Sequence, residues 1–149
     1  MSFGSIDLSA IQDKLHTLQS DQTPNWGQMT AQRMVEHLTD SIRLSFIPHA
    51  YPLTVPEDKI PRALAFLESE HPMPKNFRVE FAKPDTPLRC SNLSTAIDEL
   101  TENWHAQQKW WEENPNATRL HPSFGLLVHD LWMRVHAKHF AHHFEQFGL

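Results

Sequence analysis

Residues 125–148 read GLLVHDLWMRVHAKHFAHHFEQFG, and the pattern in this segment predicts one long helix from just after Gly125 to Phe147, ending at Gly148. On a helical wheel at about 100° per residue, aromatic side chains and histidines share one side. That side carries Trp132, His136, His139, Phe140, His143 and Phe147, with Val128 and His129 nearby. The opposite side carries Asp130, Arg134, Lys138 and Glu145, which we expect to face water. The histidines are therefore expected to face the core.

A column of buried histidines needs partners, because a buried imidazole that leaves a ring nitrogen unpaired loses free energy. A metal ion is a partner that several imidazoles can share. His139 and His143 are four residues apart and His136 and His139 are three apart, so either pair can bind one ion. His136 and His143 stand about 10 Å apart by helical rise, so we expect only one pair to be used. A third ligand must come from another helix.

A second predicted helix follows Trp26-Gly27-Gln28-Met29 and begins near Thr30, which is a suitable N-cap. Its apolar stripe consists of Ala31, Met34, Val35, Leu38 and Ile42. His37 lies on the flank of this stripe and is the candidate third ligand. Its wheel position is equally compatible with an ordinary histidine at the edge of a helix.

Two more helices complete the prediction, one over about Asp7–Ser20 and one from Ser91 or Ser94 to Asn114-Pro115-Asn116. Between the second and third helices runs a long proline-rich connection, Pro48–Pro87, with a short helix predicted around Arg62–Glu68 and a brief strand at Phe77–Phe81. The pattern predicts an all-α protein, a four-helix bundle with one long connection, as a single domain over residues 1–149.

Composition narrows the functional classes. The formal net charge of -5 argues against a nucleic-acid partner. No segment approaches the roughly 18 apolar residues of a membrane span, and the first residues do not form a signal peptide, so we expect a cytoplasmic protein. Cys90 is the only cysteine, which excludes an intramolecular disulfide and sulfur-rich zinc sites. Trp110 is a candidate exposed contact for a homodimer.

Two blocks of sequence carry a family resemblance. One is His121-Pro122-Ser123-Phe124-Gly125, then Trp132, then residues 138–148, KHFAHHFEQFG; the other is residues 26–32, WGQMTAQ, followed by residues 34–38, MVEHL. They resemble a branch of small bacterial proteins of unknown function within the DinB/YfiT-like superfamily of metalloenzymes. The resemblance implies a four-helix bundle with a metal ion held by one histidine of the second helix and an H-x3-H pair of the last. By position these ligands are His37, His139 and His143, since the second histidine of the pair stands three residues before Gln146. His136 then lines the pocket.

Three histidines would leave an open coordination position on a zinc, nickel or iron ion, as in catalytic rather than structural zinc sites. By analogy with the superfamily, we expect a metal-dependent transferase or hydrolase acting on a small thiol, thioester or electrophile. The alternative is a non-catalytic stress or interaction protein whose ion is structural. The sequence names no catalytic nucleophile or base: Glu36 is expected to be a solvated surface residue.

A di-iron centre is excluded. Such centres need Glu-x-x-His motifs on two helices of the bundle. Glu102 and His105 match this motif but point away from the stripe that contains Trp104, and Glu68-Ser69-Glu70-His71 lies outside the long helices.

Overall fold

A computed structural model of the chain describes residues 6–75 and 83–149, and about 55% of these residues are helical. In this part of the chain the α-helices are α1 Leu8–Thr17, α2 Ala31–Leu44, α3 Ile60–Glu68, α4 Leu93–Glu113 and α5 His129–Phe147. A 3-10 turn, Glu57–Lys59, leads into α3, and two strands, β1 Arg119–His121 and β2 Gly125–Leu127, lie between α4 and α5. The strand predicted at Phe77–Phe81 lies outside the described residues.

Polar caps fix the helix ends close to where the sequence predicts them. The Thr30 hydroxyl accepts a hydrogen bond from the Arg33 amide at 3.1 Å, and Asn92 caps α4 through the Thr95 amide at 2.8 Å. Gly148 ends α5 in the left-handed region, at φ +69°, which glycine adopts without strain. The start of α5 differs from the prediction, because Gly125–Leu127 form a strand and the helix begins at His129.

The sequence prediction missed the small antiparallel sheet. Arg119 pairs with Leu127, and His121 pairs with Gly125. Three residues per strand are too few for an alternating pattern to stand out from its surroundings. The hairpin covers the amino-terminal part of α5, where Trp132 donates from Nε1 to the Arg119 carbonyl at 3.1 Å.

The main hydrophobic core lies between α1, α2, α4 and α5. Helix α2 packs against both α4 and α5, and α1 packs against α4. Fully buried members of this core include Leu15, Met34, Leu38, Ile42 and Leu100. A second cluster under α3 and the hairpin includes Leu67, Trp111, Leu127, Trp132 and Val135. No helix of the described residues combines the length and apolarity needed to cross a bilayer.

The polar side of α5 is not solvated as predicted, because α3 and the residues after it cover part of it. Arg134 donates to the carbonyls of Leu67 and Glu68 at 3.0 and 2.8 Å. Lys138 is only 1% exposed, and its ammonium donates to the Ser69 carbonyl at 2.8 Å. These two cations satisfy carbonyl groups at the end of α3 that have no partner within the helix. The expectation that Lys138 faces water was wrong.

Glu36 also differs from the prediction, since its residue surface is 0% exposed. Its carboxylate accepts from the Arg89 amide at 2.8 Å and from Gln32 Nε2 at 2.9 Å. The Arg89 guanidinium bridges Asp40 at 2.7 Å and Glu99 at 2.6 Å. The segment before α4 therefore covers the surface of α2 where a wheel places Glu36 in water.

Trp110, the candidate dimer contact, is half-buried, and the Arg119 guanidinium lies 4.4 Å from its ring centre. The predicted contact is thus partly covered within the chain, and the homodimer stays a prediction.

Candidate metal centre

Helices α2 and α5 bring the three predicted ligands together. His139 Nε2 lies 2.7 Å from His37 Nε2 and 3.0 Å from His143 Nε2. The three rings form a buried group, with centroids 4.5 to 4.8 Å apart, although His139 keeps some exposure to solvent. His37 and His143 are 7% and 5% exposed. The i, i+4 spacing on α5 gives one side of the site, and the packing of α2 against α5 supplies the other.

The protonation of His143 follows from its neighbours. Gln146 donates from Nε2 to the Trp26 carbonyl at 3.0 Å, so its amide oxygen faces His143, 2.7 Å from Nδ1. An amide oxygen only accepts, so Nδ1 of His143 carries the hydrogen. In the neutral ring Nε2 then has a lone pair, and this lone pair faces the other two histidines.

Hydrogens alone cannot satisfy the three facing nitrogens. If Nε2 of His139 carries a hydrogen, it can point straight at His37 or at His143 but not at both. If it carries none, its lone pair meets the lone pair of His143 at 3.0 Å, which is repulsive. A cation placed between the rings accepts all three lone pairs at once. The three histidines can therefore hold a metal ion.

The separations fit an ion of the size of zinc after a small adjustment. Metal–nitrogen bonds of about 2.0–2.1 Å in a tetrahedral site place neighbouring ligand nitrogens roughly 3.3–3.4 Å apart. A ring nitrogen of each histidine lies within 4.8 Å of the others, and the two close pairs are at 2.7 and 3.0 Å. Shifts of roughly half an ångström bring the two close pairs to this spacing, and the third pair, His37 and His143, starts within 4.8 Å. Imidazole ligands suit zinc, nickel and iron alike, so the donor set leaves the metal unassigned.

The electrostatic environment keeps the rings unprotonated. Burial, followed by the neighbouring His143 and Arg33, holds the pKa of His37 well below its usual 6.5. Burial and then His37 hold the pKa of His139 well below the same value. Burial lowers the pKa of His143 to about 4, against the opposing effect of the bond to Gln146. Neutral imidazoles are the form that binds metal, so the ligands are ready at neutral pH.

Among the described residues, the group holds no carboxylate and no cysteine. Three neutral ligands leave the charge of a divalent ion uncompensated and leave at least one coordination position open. Nδ1 of His37 is buried and makes no hydrogen bond to any described residue. His142 is half-buried beside the group, with its ring 4.8 Å from that of His143.

An aromatic and cationic edge flanks the site. The Trp26 ring meets His142 edge-on at 5.7 Å, and the Lys75 ammonium lies 4.6 Å from the centre of the Trp26 ring. A positive charge near this edge favours anionic over cationic molecules.

His136 and His129 lie outside the group of three. His136 is 1% exposed, and its Nε2 bonds to the Gln107 side-chain oxygen at 2.8 Å. The Ser45 hydroxyl donates a hydrogen bond to the same oxygen at 2.7 Å. His129 lies at the start of α5 with its ring 5.4 Å from that of Trp111. The sequence prediction missed Gln107, although its place on the stripe of Trp104 and Trp111 could have marked it as a buried polar partner. It also used Gln146 only as a position marker, without its bonds to His143 and Trp26.

Comparison of the chain with protein family models, with curated proteins and with solved structures gave no match.

Proposed function

We propose that the chain is a DinB/YfiT-like four-helix bundle, formed by α1, α2, α4 and α5, that holds one divalent transition metal ion through His37, His139 and His143. The observation that carries this proposal is the convergence of three ring nitrogens that hydrogens alone cannot pair. The lowered pKa values of these rings support it, because they favour the ligand form.

Elemental analysis tests the proposal. Untagged protein purified without a nickel column should contain about one equivalent of zinc, nickel or iron per chain, or take it up tightly when zinc or nickel is added. Protein that contains no metal and takes up neither ion would refute the proposal.

Matched histidine variants test the assignment of the ligands. His37→Ala and His143→Ala each leave two protein ligands and should lower zinc affinity by orders of magnitude. His136→Ala removes an equally buried histidine of α5 that bonds to Gln107 instead, so its metal content should stay at that of the wild type. The assignment fails if His136→Ala strips the ion while His143→Ala keeps it. Circular dichroism of the metal-free variants checks that each one folds.

We further propose that the ion is catalytic, in a metal-dependent transferase or hydrolase that acts on a small thiol, thioester or electrophile. A bound ion of this kind lowers the pKa of a water or thiol that it coordinates. The set of only three histidines and the partial exposure of His139 support this reading, because both leave room for an outside molecule. The thiol class rests on the family resemblance and on that alone.

The alternative is a structural ion that ties α2 to α5. The burial of His37 and His143 favours it, since a closed site needs no access. Cobalt substitution separates the two readings: adding a small thiol should produce a sulfur-to-cobalt charge-transfer band if the ion can be reached. An unchanged spectrum at saturating thiol would favour the structural ion.

A further inference from the structure

Gln146 joins one proposed ligand to a distant part of the chain. Its side-chain oxygen lies 2.7 Å from Nδ1 of His143, and its side-chain nitrogen donates to the Trp26 carbonyl at 3.0 Å. Gln146 is 5% exposed, so water offers little competition for either bond. The direction of each bond is fixed, because a peptide carbonyl accepts and does not donate.

The turn that carries the Trp26 carbonyl is itself fastened to the end of α5. The Asn25 amide donates to the Gln146 carbonyl at 2.7 Å, and the Asn25 side chain donates to the Glu145 carbonyl at 3.3 Å. Gly27 continues the turn at φ +79°, and a Cβ there would lie 2.9 Å from the side-chain nitrogen of Gln146. The turn therefore leaves just enough space for the Gln146 amide and determines which way that amide points.

We propose that Gln146 is a positioning residue of the metal centre: held by the Trp26 carbonyl, it keeps the hydrogen of His143 on Nδ1 and so directs a lone pair of Nε2 at the ion. The part of this proposal that concerns metal binding rests on the proposed function, whereas the part that concerns the hydrogen of His143 does not. Partners of this kind orient metal-binding histidines and set their tautomer. Nδ1 of His37 has no such partner among the described residues, so of these two rings only His143 has its tautomer set by a side-chain hydrogen bond.

Three variants separate this role from a general effect on folding. Gln146→Met keeps the length of the side chain and removes both the acceptor for the Nδ1 hydrogen and the donor to the Trp26 carbonyl, whereas Gln146→Glu removes the donor alone and keeps an acceptor for the Nδ1 hydrogen. Gln22→Met is the matched control, because the Gln22 side chain also fastens the same turn region to the end of α5, through the Phe147 carbonyl, and does not touch a proposed ligand.

The first measurement uses metal-free protein. Long-range proton–nitrogen NMR of histidine-labelled wild type should show a hydrogen on Nδ1 of His143 and a bare Nε2. Gln146→Met should give a mixture of the two tautomers, while Gln146→Glu and Gln22→Met should keep the wild-type form. A hydrogen on Nε2 of His143 in the wild type would overturn the inference, whatever metal the protein binds.

The second measurement is zinc affinity by competition with a chelating dye. Gln146→Met should bind zinc about 10- to 100-fold more weakly than wild type, and Gln146→Glu should recover most of that loss. Gln22→Met should match the wild type. The inference fails if Gln146→Met keeps wild-type affinity, or if Gln22→Met loses as much as Gln146→Met. A wild type that binds no zinc would refute the proposed function, and the tautomer measurement would still decide the role of Gln146.

Discussion

Low pH should destabilise the metal-free protein through buried histidines that lie away from the metal centre. A variant at His136 measures the contribution of one such histidine. Burial, with smaller effects from His121 and His129, lowers the pKa of His136 from 6.5 to about 3. The folded state thus resists protonation at His136 down to about this value, whereas the unfolded chain takes up the proton near pH 6.5. The contribution to stability is fully present above pH 6.5 and is lost as pH falls toward 3.

The size of the effect follows from linkage. Each pH unit below the unfolded pKa costs about 1.4 kcal/mol while the folded group stays neutral, so the loss between neutral pH and about pH 5 is about 2 kcal/mol for His136 alone. His121, whose pKa burial also lowers to about 3, should contribute similarly. A loss of this size is a large share of the stability of an ordinary domain.

The perturbation is His136→Gln, which keeps a donor toward Gln107 and cannot be protonated. Urea unfolding in the presence of a chelator, at about pH 7.5 and about pH 5, should show the variant losing about 2 kcal/mol less than wild type. His105→Gln, at an exposed histidine of α4, is the control and should follow the wild type. If the free energy of unfolding fell equally for His136→Gln and wild type between the two pH values, the proposed effect of His136 would be refuted.

Three further predictions concern stability, each measured by urea unfolding at neutral pH. Glu36→Ala should cost about 1–2 kcal/mol, because the Arg89 amide loses its acceptor and the Gln32 side chain loses one of its two, whereas exposed Glu102→Ala should stay within about 0.5 kcal/mol; equal effects would contradict the burial of Glu36. Gly27→Ala should cost about 1–2 kcal/mol or more, because its φ is +79° and its Cβ would crowd Gln146; an unchanged midpoint would count against this turn. Lys138→Met should cost about 1–3 kcal/mol, because carbonyls after α3 lose their donor; a gain in stability would mean that the buried charge outweighs its hydrogen bonds.

The candidate site was predictable to the extent that it depends on spacing along one helix. His139 and His143 share a face of α5 because they are four residues apart, and that follows from the helical repeat. The helical repeat alone allowed His136 and His139 equally well as the metal-binding pair. In the structure the His143 ring lies 4.8 Å from that of His37 on α2, whereas His136 bonds to Gln107 of α4. Partners on other helices therefore distinguish the two pairs. The role of the three histidines as ligands stays a prediction.

Helix positions and caps such as Thr30 and Gly148 can be predicted from the sequence, because they depend on backbone geometry and on neighbours within a few residues. The burial of Glu36 and Lys138 cannot be predicted in this way. A helical wheel assigns a polar face to water, yet the segment around Arg89 covers Glu36, and the residues after α3 cover Lys138. The bond from Gln146 to Trp26 spans 120 positions of sequence and leaves no periodic signal. Local repeats decide which residues share a face of a helix, whereas the packing of remote segments decides whether that face meets water, another side chain or an ion.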